Sequence, residues 1–241
     1  MTAKDHIDTA MVLAAGLGTR MRALSGDMPK PLVPVLGKPL LDWTLDFLSD
    51  GGIRQAVVNL HYKAEMIEAH LAGRTFPKIT LSDERGALLE TGGGLMKATP
   101  LLGKGPVFCS NTDAIFRLGQ EHPVTQLQKA WQDDHMDALL LLVPFPMTSG
   151  YDSSSGFYMG PGGALRWEGR GEKYVFTGLQ IIHPRLWEGE EIKAQSTKVF
   201  WDKAMAAGRL YGVIHDETWL HVGDPAGHEA AETLLREKSA E

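Results

Sequence analysis

The chain has 241 residues, 43% of them hydrophobic, enough for the buried core of one large α/β domain or a main domain with a modest appendage. Its formal net charge of -6 provides no overall cationic footprint for nucleic acid, although a local site can still bind anions. Cys109 is the single cysteine, so no intramolecular disulfide is available, and a buried structural thiol in a reducing compartment is expected.

Met1 to Ala10 is short and polar, without the basic start and apolar core of a signal peptide. The longest apolar run, Ala138 to Phe145, falls well short of the roughly 20 residues a membrane helix needs. A soluble, cytoplasmic protein that binds neither membrane nor nucleic acid is expected. Ala10 to Ala15 reads as a buried strand ending at Gly16, and a loop rich in Gly and Pro runs on to Gly37. A helix opened by Pro39 follows, with Leu41, Leu45 and Leu48 on one face and Gly51-Gly52 closing it. Ala56 to Leu60 reads as a strand, and Lys63 to Leu71 as a helix with Met66, Ile67 and Leu71 on its apolar side.

The alternation continues through Ile79 to Leu81 (strand), Gly94 to Leu102 (helix), Val107 to Ser110 (strand), Thr125 to Asp134 (helix) and Ala138 to Val143 (strand). Such alternation predicts a parallel sheet with helices on both faces, which binds ligands beyond the carboxyl ends of its strands. The loops at Gly16 and Asn111 follow strands at that end. Later, Gly156 to Met159, Leu165 to Glu168 and Tyr174 to His183 read as strands of a mixed extension, a place for a second substrate. Trp201 to Ala207 and His228 to Arg236 read as helices. No internal repeat or linker is visible.

The stretch Leu13-Ala14-Ala15-Gly16-Leu17-Gly18-Thr19-Arg20-Met21-Arg22 carries the chemistry. Glycines after a strand let backbone N–H groups approach an anion, and Arg20 and Arg22 add guanidinium donors. Pro29-Lys30-Pro31 presents a lysine on stiff, extended backbone. The dinucleotide-binding fingerprint fails because Met21 stands where a third glycine is needed, and the P-loop pattern is absent. The bland alternative is a glycine-rich turn with two solvated arginines, which the full run and the Pro-Lys-Pro disfavour. Asp113 lies just past a strand at the ligand edge, where a hard carboxylate suits Mg²⁺.

Gly-x-Gly-Thr-Arg-Met followed by Pro-Lys-Pro resembles the signature of the nucleotide-sugar pyrophosphorylase family. Gly37-Lys38-Pro39-Leu40, Glu90-Thr91-Gly92-Gly93-Gly94 and Asn111-Thr112-Asp113 extend the resemblance over nearly the whole chain. It implies a Rossmann-like three-layer α/β/α fold with a mainly parallel mixed sheet, of glycosyltransferase-A-like nucleotidyltransferase type. It also implies one domain over 1–241, with a nucleotide-binding half to about 145 and a sugar-phosphate-binding half after it. The small size and the Glu-Thr-Gly-Gly-Gly run point to the branch that includes N-acetylmuramate 1-phosphate uridylyltransferases.

The resemblance implies that a nucleoside triphosphate and a sugar 1-phosphate are the substrates. Leu13, Ala14, Ala15 and Gly16 would hold base and ribose, with Gly18 and Thr19 near the phosphates and Glu90, Thr91 and Gly92 lining the base. Arg20 and Lys30 would neutralise the phosphates, and Asp113 would hold the metal. Asn111, Gly156, Glu168 and the Thr177-Gly178 turn would contact the sugar phosphate, with Lys173 a weaker candidate. The family's second metal ligand is an Asp two residues before a Gly-Thr-Pro turn. Here the segment reads His221-Val222-Gly223-Asp224-Pro225. Imidazole suits softer divalent ions than Mg²⁺. Three alternatives stay open: His221 acts through water, Asp224 reaches round to replace it, or Mn²⁺ is accepted. The tryptophans are expected in the core or an interface. UTP with N-acetylmuramate 1-phosphate is the implied pair; mannose 1-phosphate with GTP, another hexose phosphate, or a non-catalytic nucleotide sensor are the rivals. Nothing in the sequence indicates oligomeric state.

Overall fold

The computed structural model describes residues 6–151 and 155–238, so Met1–Asp5 of the polar N-terminal segment lies outside the described residues. The first apolar run forms strand β1 (Thr9–Leu13). The loop after it contains a short helix, α1 (Arg22–Ser25), and two 3₁₀ turns at Thr19–Met21 and Lys30–Leu32, the latter in place of the extended backbone expected at Lys30. It also contains a hairpin of two-residue strands, β2 (Pro34–Val35) and β3 (Lys38–Pro39). Helix α2 (Leu40–Asp50), β4 (Gln55–Leu60), α3 (Ala64–Leu71), β5 (Lys78–Asp83) and α4 (Glu90–Leu102) then alternate. Strands β6 (Val107–Asn111) and β7 (Ala114–Phe116) precede α5 (Pro123–Ala130). Five strands follow: β8 (Ala138–Pro144), β9 (Thr148–Ser149), β10 (Phe157–Met159), β11 (Leu165–Arg166) and β12 (Lys173–Ile182). Helix α6 (Lys198–Ala206), β13 (Leu210–Ile214), β14 (Trp219–His221) and α7 (Pro225–Lys238) complete the described elements.

The main sheet runs β13-β8-β12-β6-β1-β4-β5. One half of it, β6-β1-β4-β5, is wholly parallel, as the alternation predicts. Strand β12 is antiparallel to both β6 and β8 and makes the sheet mixed. It is long enough to run past the end of β6, where Lys173 and Tyr174 pair with β10. The two loops singled out by sequence leave β1 and β6 side by side, with Leu13 opposite Asn111.

Strand alternation sends neighbouring side chains to opposite faces and so builds two cores. Ala10 and Val12 pack with Leu41, Leu45 and Leu48 of α2, Ile67 of α3 and Leu127 of α5. Met11, between them in sequence, packs with Leu95 and Ala98 of α4 and Phe200 and Ala204 of α6. Each fully buried large apolar side chain contributes about 1.5–3 kcal/mol. A third core, including Met21, Val33, Val35, Leu40, Leu220 and Val222, underlies the glycine-rich loop and is covered by α7.

Three details differ from the sequence reading. Met66 is 37% exposed, and Ala64 occupies the buried face of α3 in its place. Helix α4 starts at Glu90 and takes Gly92, Gly93 and Gly94 into its first turns. Glycine weakens a helix interior by about 1 kcal/mol, but here it permits close packing. A Cβ at Gly92 would lie 2.8 Å from the Gln195 carbonyl, and one at Gly93 would collide with the Lys193 carbonyl. Lastly, β7, β14 and β9 form a small second sheet that the sequence did not announce. Among the described residues no helix is long and apolar enough to cross a membrane.

Candidate active site

A cavity of 440 Å³ opens beyond the carboxyl ends of β1 and β6. Leu13, Ala14, Ala15, Gly16, Gly18, Thr19 and Arg20 form one wall, Glu90 and Thr91 another, and Lys30, Asn111 and Asp113 the floor. Arg22 is not among the lining residues. Gly18 adopts φ 59°, and a Cβ there would sit 2.8 Å from Cβ of Lys30. Glycine at this position lets the Pro29-Lys30-Pro31 segment lie against the loop, which ties the two halves of the sequence signature together.

The turn beneath the loop is fixed by residues that sequence reasoning missed. Ala14 and Ala15 both donate their N–H groups to Oδ1 of Asn59, at 2.7 and 3.2 Å. Nδ2 of Asn59 in turn donates to Oε1 of the fully buried Glu84, at 2.8 Å. Burial pushes the Glu84 carboxyl above its ordinary pKa, although the Asn59 amide pulls it back. Gly94 completes this unit, since a Cβ there would lie 2.9 Å from both Asn59 Nδ2 and Glu84 Oε1. The loop's remaining polar groups face a cavity that is already shaped. The available signal was an asparagine inside the otherwise apolar run Val57-Val58-Asn59-Leu60.

Helix α4 offers less to an anion than its glycines imply. The N–H groups of Gly92 and Gly93 both donate to the Gln195 carbonyl, so Gly92 packs the helix rather than lining the cavity. Oγ1 of Thr91 accepts the Thr197 N–H at 2.9 Å. Glu90 stands at the cavity edge with φ 59°, a left-handed conformation costly for a side-chain-bearing residue.

Asp113 lies at the back of the cavity. Lys30 Nζ donates to its Oδ2 at 2.7 Å, and Nε2 of His221 lies 3.6 Å from the same oxygen. Burial raises the Asp113 pKa, but the Lys30 charge and the His221 contact outweigh it and hold the carboxyl well below its usual range. His221 comes from β14, paired with Ala114 of β7, and the Val222 N–H donates to the Asp113 carbonyl. Nδ1 of His221 lies 3.0 Å from the Gly150 carbonyl, to which it donates in the neutral ring. Glycines make room for this histidine: a Cβ at Gly223 would collide with the imidazole, and one at Gly150 or Gly227 with the His221 carbonyl.

The donor set can be tested for metal binding. Nδ1 of His221 is engaged by the Gly150 carbonyl and Nε2 faces an Asp113 carboxylate oxygen at 3.6 Å, a pair that can share a proton or a cation. A ring oriented by a backbone carbonyl is a familiar metal-ligand arrangement. Among the described residues no group of three or more His, Cys, Asp and Glu could hold an ion, so a cation here would need ligands from outside that set, such as phosphate oxygens or water. Asp224 is engaged elsewhere: its Oδ1 accepts the Gly227 N–H at 2.9 Å at the start of α7, and it is not among the residues lining the cavity.

A second cavity, of 340 Å³, adjoins the first and shares Asn111 and Asp113 with it. Gly156 lines it, together with Gly178, which has φ 91° and where an added Cβ would lie only 3.1 Å from the Asn111 side chain. Thr177 does not reach it. That side chain is fully buried at the irregularity in β12 and donates to the Leu141 carbonyl at 3.0 Å. Glu168 is exposed outside the cavity; its neighbour Trp167 lines the wall instead. Lys173 also lies outside it, against the Tyr158 ring. Trp131, Trp187 and Trp219 are buried in the cores, as expected, and Trp167 and Trp201 pack against one of them; Trp167, Trp201 and Trp219 also present part of their surface to the cavity. Lys198 and Ser196, which no motif marked, complete it. Cys109 takes no part: it is buried in β6, and burial pushes its thiol up to about 12.

Residues 9–151 match the Nucleotidyl transferase family. The chain is 41% identical to N-acetylmuramate alpha-1-phosphate uridylyltransferase of Caulobacter vibrioides (strain ATCC 19089 / CIP 103742 / CB 15), over 95% of this chain and 97% of that protein. It is 33% identical to the protein of the same name from Neisseria meningitidis serogroup B, over 93% and 97%. Among solved structures, the inositol-1-phosphate CTP transferase from T. maritima superposes with a TM-score of 0.77 at 18% identity, over 97% of this chain and 98% of that one.

Proposed function

The chain belongs to the nucleotidyl transferase family, and from that membership we propose that it joins UTP to N-acetylmuramate 1-phosphate, releasing pyrophosphate. One observation carries the reading: two cavities of substrate size meet at Asp113, whose carboxylate Lys30 and His221 flank. The triphosphate occupies the glycine-walled cavity and the sugar phosphate the aromatic one, so their phosphates meet at the junction.

The sugar phosphate oxygen is already anionic and attacks the α-phosphorus of UTP. The bond from that phosphorus to the bridging oxygen of the β-phosphate breaks, and pyrophosphate leaves with the electron pair. No side chain takes a proton or forms a covalent bond. Catalysis rests on alignment of the two phosphates and on charge already in place. Lys30 is held by Asp113 before substrate arrives, and Arg20 stands exposed at the mouth of the same cavity.

Asp113 and His221 are the residues that would hold a divalent cation, Mg²⁺ or Mn²⁺, which would supply neutralisation of phosphate charge. An imidazole in place of a second carboxylate favours Mn²⁺ over Mg²⁺. Removal of divalent ions should abolish turnover, and His221→Ala should raise the metal concentration for half-maximal rate about tenfold or more.

Substrate identity is tested by incubating the protein with UTP, GTP, CTP or dTTP and a panel of sugar 1-phosphates, and measuring pyrophosphate. UTP with N-acetylmuramate 1-phosphate should give the highest kcat/KM. Highest turnover of mannose 1-phosphate with GTP would replace this pair. Tight nucleotide binding without turnover of any pair would contradict the catalytic reading.

A further inference from the structure

The rings around the second cavity fall into two groups. Tyr151, Trp219 and His221 pack on one another at centroid separations of 5.4 to 5.6 Å, beside Asp113. Phe157, Trp167, Trp201 and Phe176 form the other group, at 4.3 to 6.4 Å. Among the described residues no ring contact joins the two groups. The sugar's phosphate belongs with the first, because Asp113 and Asn111 are the residues shared with the nucleotide cavity.

The second group carries a cation that the reaction does not use. Lys198 holds its Nζ 4.5 Å from the centroid of Trp167, and among the described residues no other lysine or arginine lines the cavity. Two other ring-stacked lysines also have a carboxylate partner: Lys38 pairs with Asp46, and Lys203 with Glu190. Lys198 makes no ion pair among the described residues. Its platform is fixed, since Trp167 Nε1 donates to Asp202 at 2.6 Å and Trp201 Nε1 donates to Gln180 at 2.8 Å. A lysine placed on a pinned aromatic wall, with no carboxylate partner among the described residues, is arranged to meet an anion brought by the ligand.

We infer that Lys198 binds a second anionic group of the sugar, a carboxylate on a ring substituent remote from the C1 phosphate, and so selects acidic sugar phosphates over neutral ones. This role rests on the proposed function. The acidic substrate's carboxylate-bearing ether sits on C3, across the ring from the phosphate that must reach Asp113. Lys198 is therefore a specificity residue, and its effect falls on substrate choice.

The test measures kcat/KM for N-acetylmuramate 1-phosphate and for N-acetylglucosamine 1-phosphate, which lacks the carboxylate-bearing ether, each with UTP. Wild type, Lys198→Ala and Lys198→Arg are compared. Wild type should prefer the acidic sugar. Lys198→Ala should lower the acidic-to-neutral ratio by about tenfold to a hundredfold, as expected for loss of one hydrogen bond to a charged group, with the change mainly in KM. Lys198→Arg, which keeps the charge, should retain most of the ratio. Equal losses on both sugars would place Lys198 on the phosphate and overturn the inference, as would an unchanged ratio. Failure of wild type to use the acidic sugar would overturn the proposed substrate itself, which separates the two outcomes.

Discussion

The two cavities are built in different ways. The nucleotide side is largely backbone: a loop whose path is set by Gly18, by Asn59 beneath Ala14 and Ala15, and by Gly94 against the Asn59–Glu84 pair. The sugar side is largely side chain, with rings and one lysine delivered by β10, β12, α6, β14 and the segments between them. Backbone cradles recognise what all triphosphates share, whereas projecting side chains can be exchanged without disturbing the sheet. A chain that keeps the first and varies the second can change its sugar while retaining its chemistry.

Perturbing the junction tests what the two sides have in common and should give the largest effect. Lys30→Ala should lower kcat by about 10²–10³-fold, the loss typical of one preorganised charge-stabilising donor. UTP binding, read by calorimetry, should survive. On the nucleotide side, Asn59→Ala leaves two buried N–H groups unsatisfied at about 1–3 kcal/mol each. Denaturant unfolding should show that loss, and KM for the triphosphate should rise while KM for the sugar phosphate stays near wild type. On the sugar side, Trp201→Ala should do the reverse, raising KM for the sugar phosphate alone. If either variant moved both KM values equally, the division of labour between the cavities would be wrong.

The smallest effect concerns pH. Burial raises the folded pKa of Glu84 above its unfolded value, so folding favours the protonated carboxyl. With respect to this group the protein is most stable below about pH 4.3 and loses that increment as pH rises through the folded value. Glu84→Gln keeps an acceptor for Asn59 and has no charge to bury. Its Tm relative to wild type should therefore improve from pH 4 to pH 7. A constant difference across that range would remove Glu84 from the account.

This division also explains how much could be read from sequence. Glycine and proline report backbone conformation locally, so the stretch from Gly16 to Lys30 identified the loop, and strand–helix alternation identified the parallel half of the sheet. Lys30, Asp113 and His221 were found because each belongs to a short contiguous pattern. Thr177 was misplaced because an irregularity in β12 turns its side chain inward and leaves Gly178 lining the cavity, and Glu168 because Trp167 takes the cavity-facing position beside it. Lys198 and Trp201 carried no signal, since their meeting with Trp167 depends on how α6 docks against β10 and β12. Asn59 was visible only as a polar residue in a buried strand. That pattern shows that something is bonded there, without naming the partner.

The most direct test of the central claim is pyrophosphate release by Asp113→Asn under single-turnover conditions, with UTP and N-acetylmuramate 1-phosphate both saturating. If the reaction occurs where the two cavities meet, release should slow by about 10²-fold or more while both substrates still bind. Release at the wild-type rate would contradict the account, because the carboxylate at the junction would then be dispensable to the chemistry.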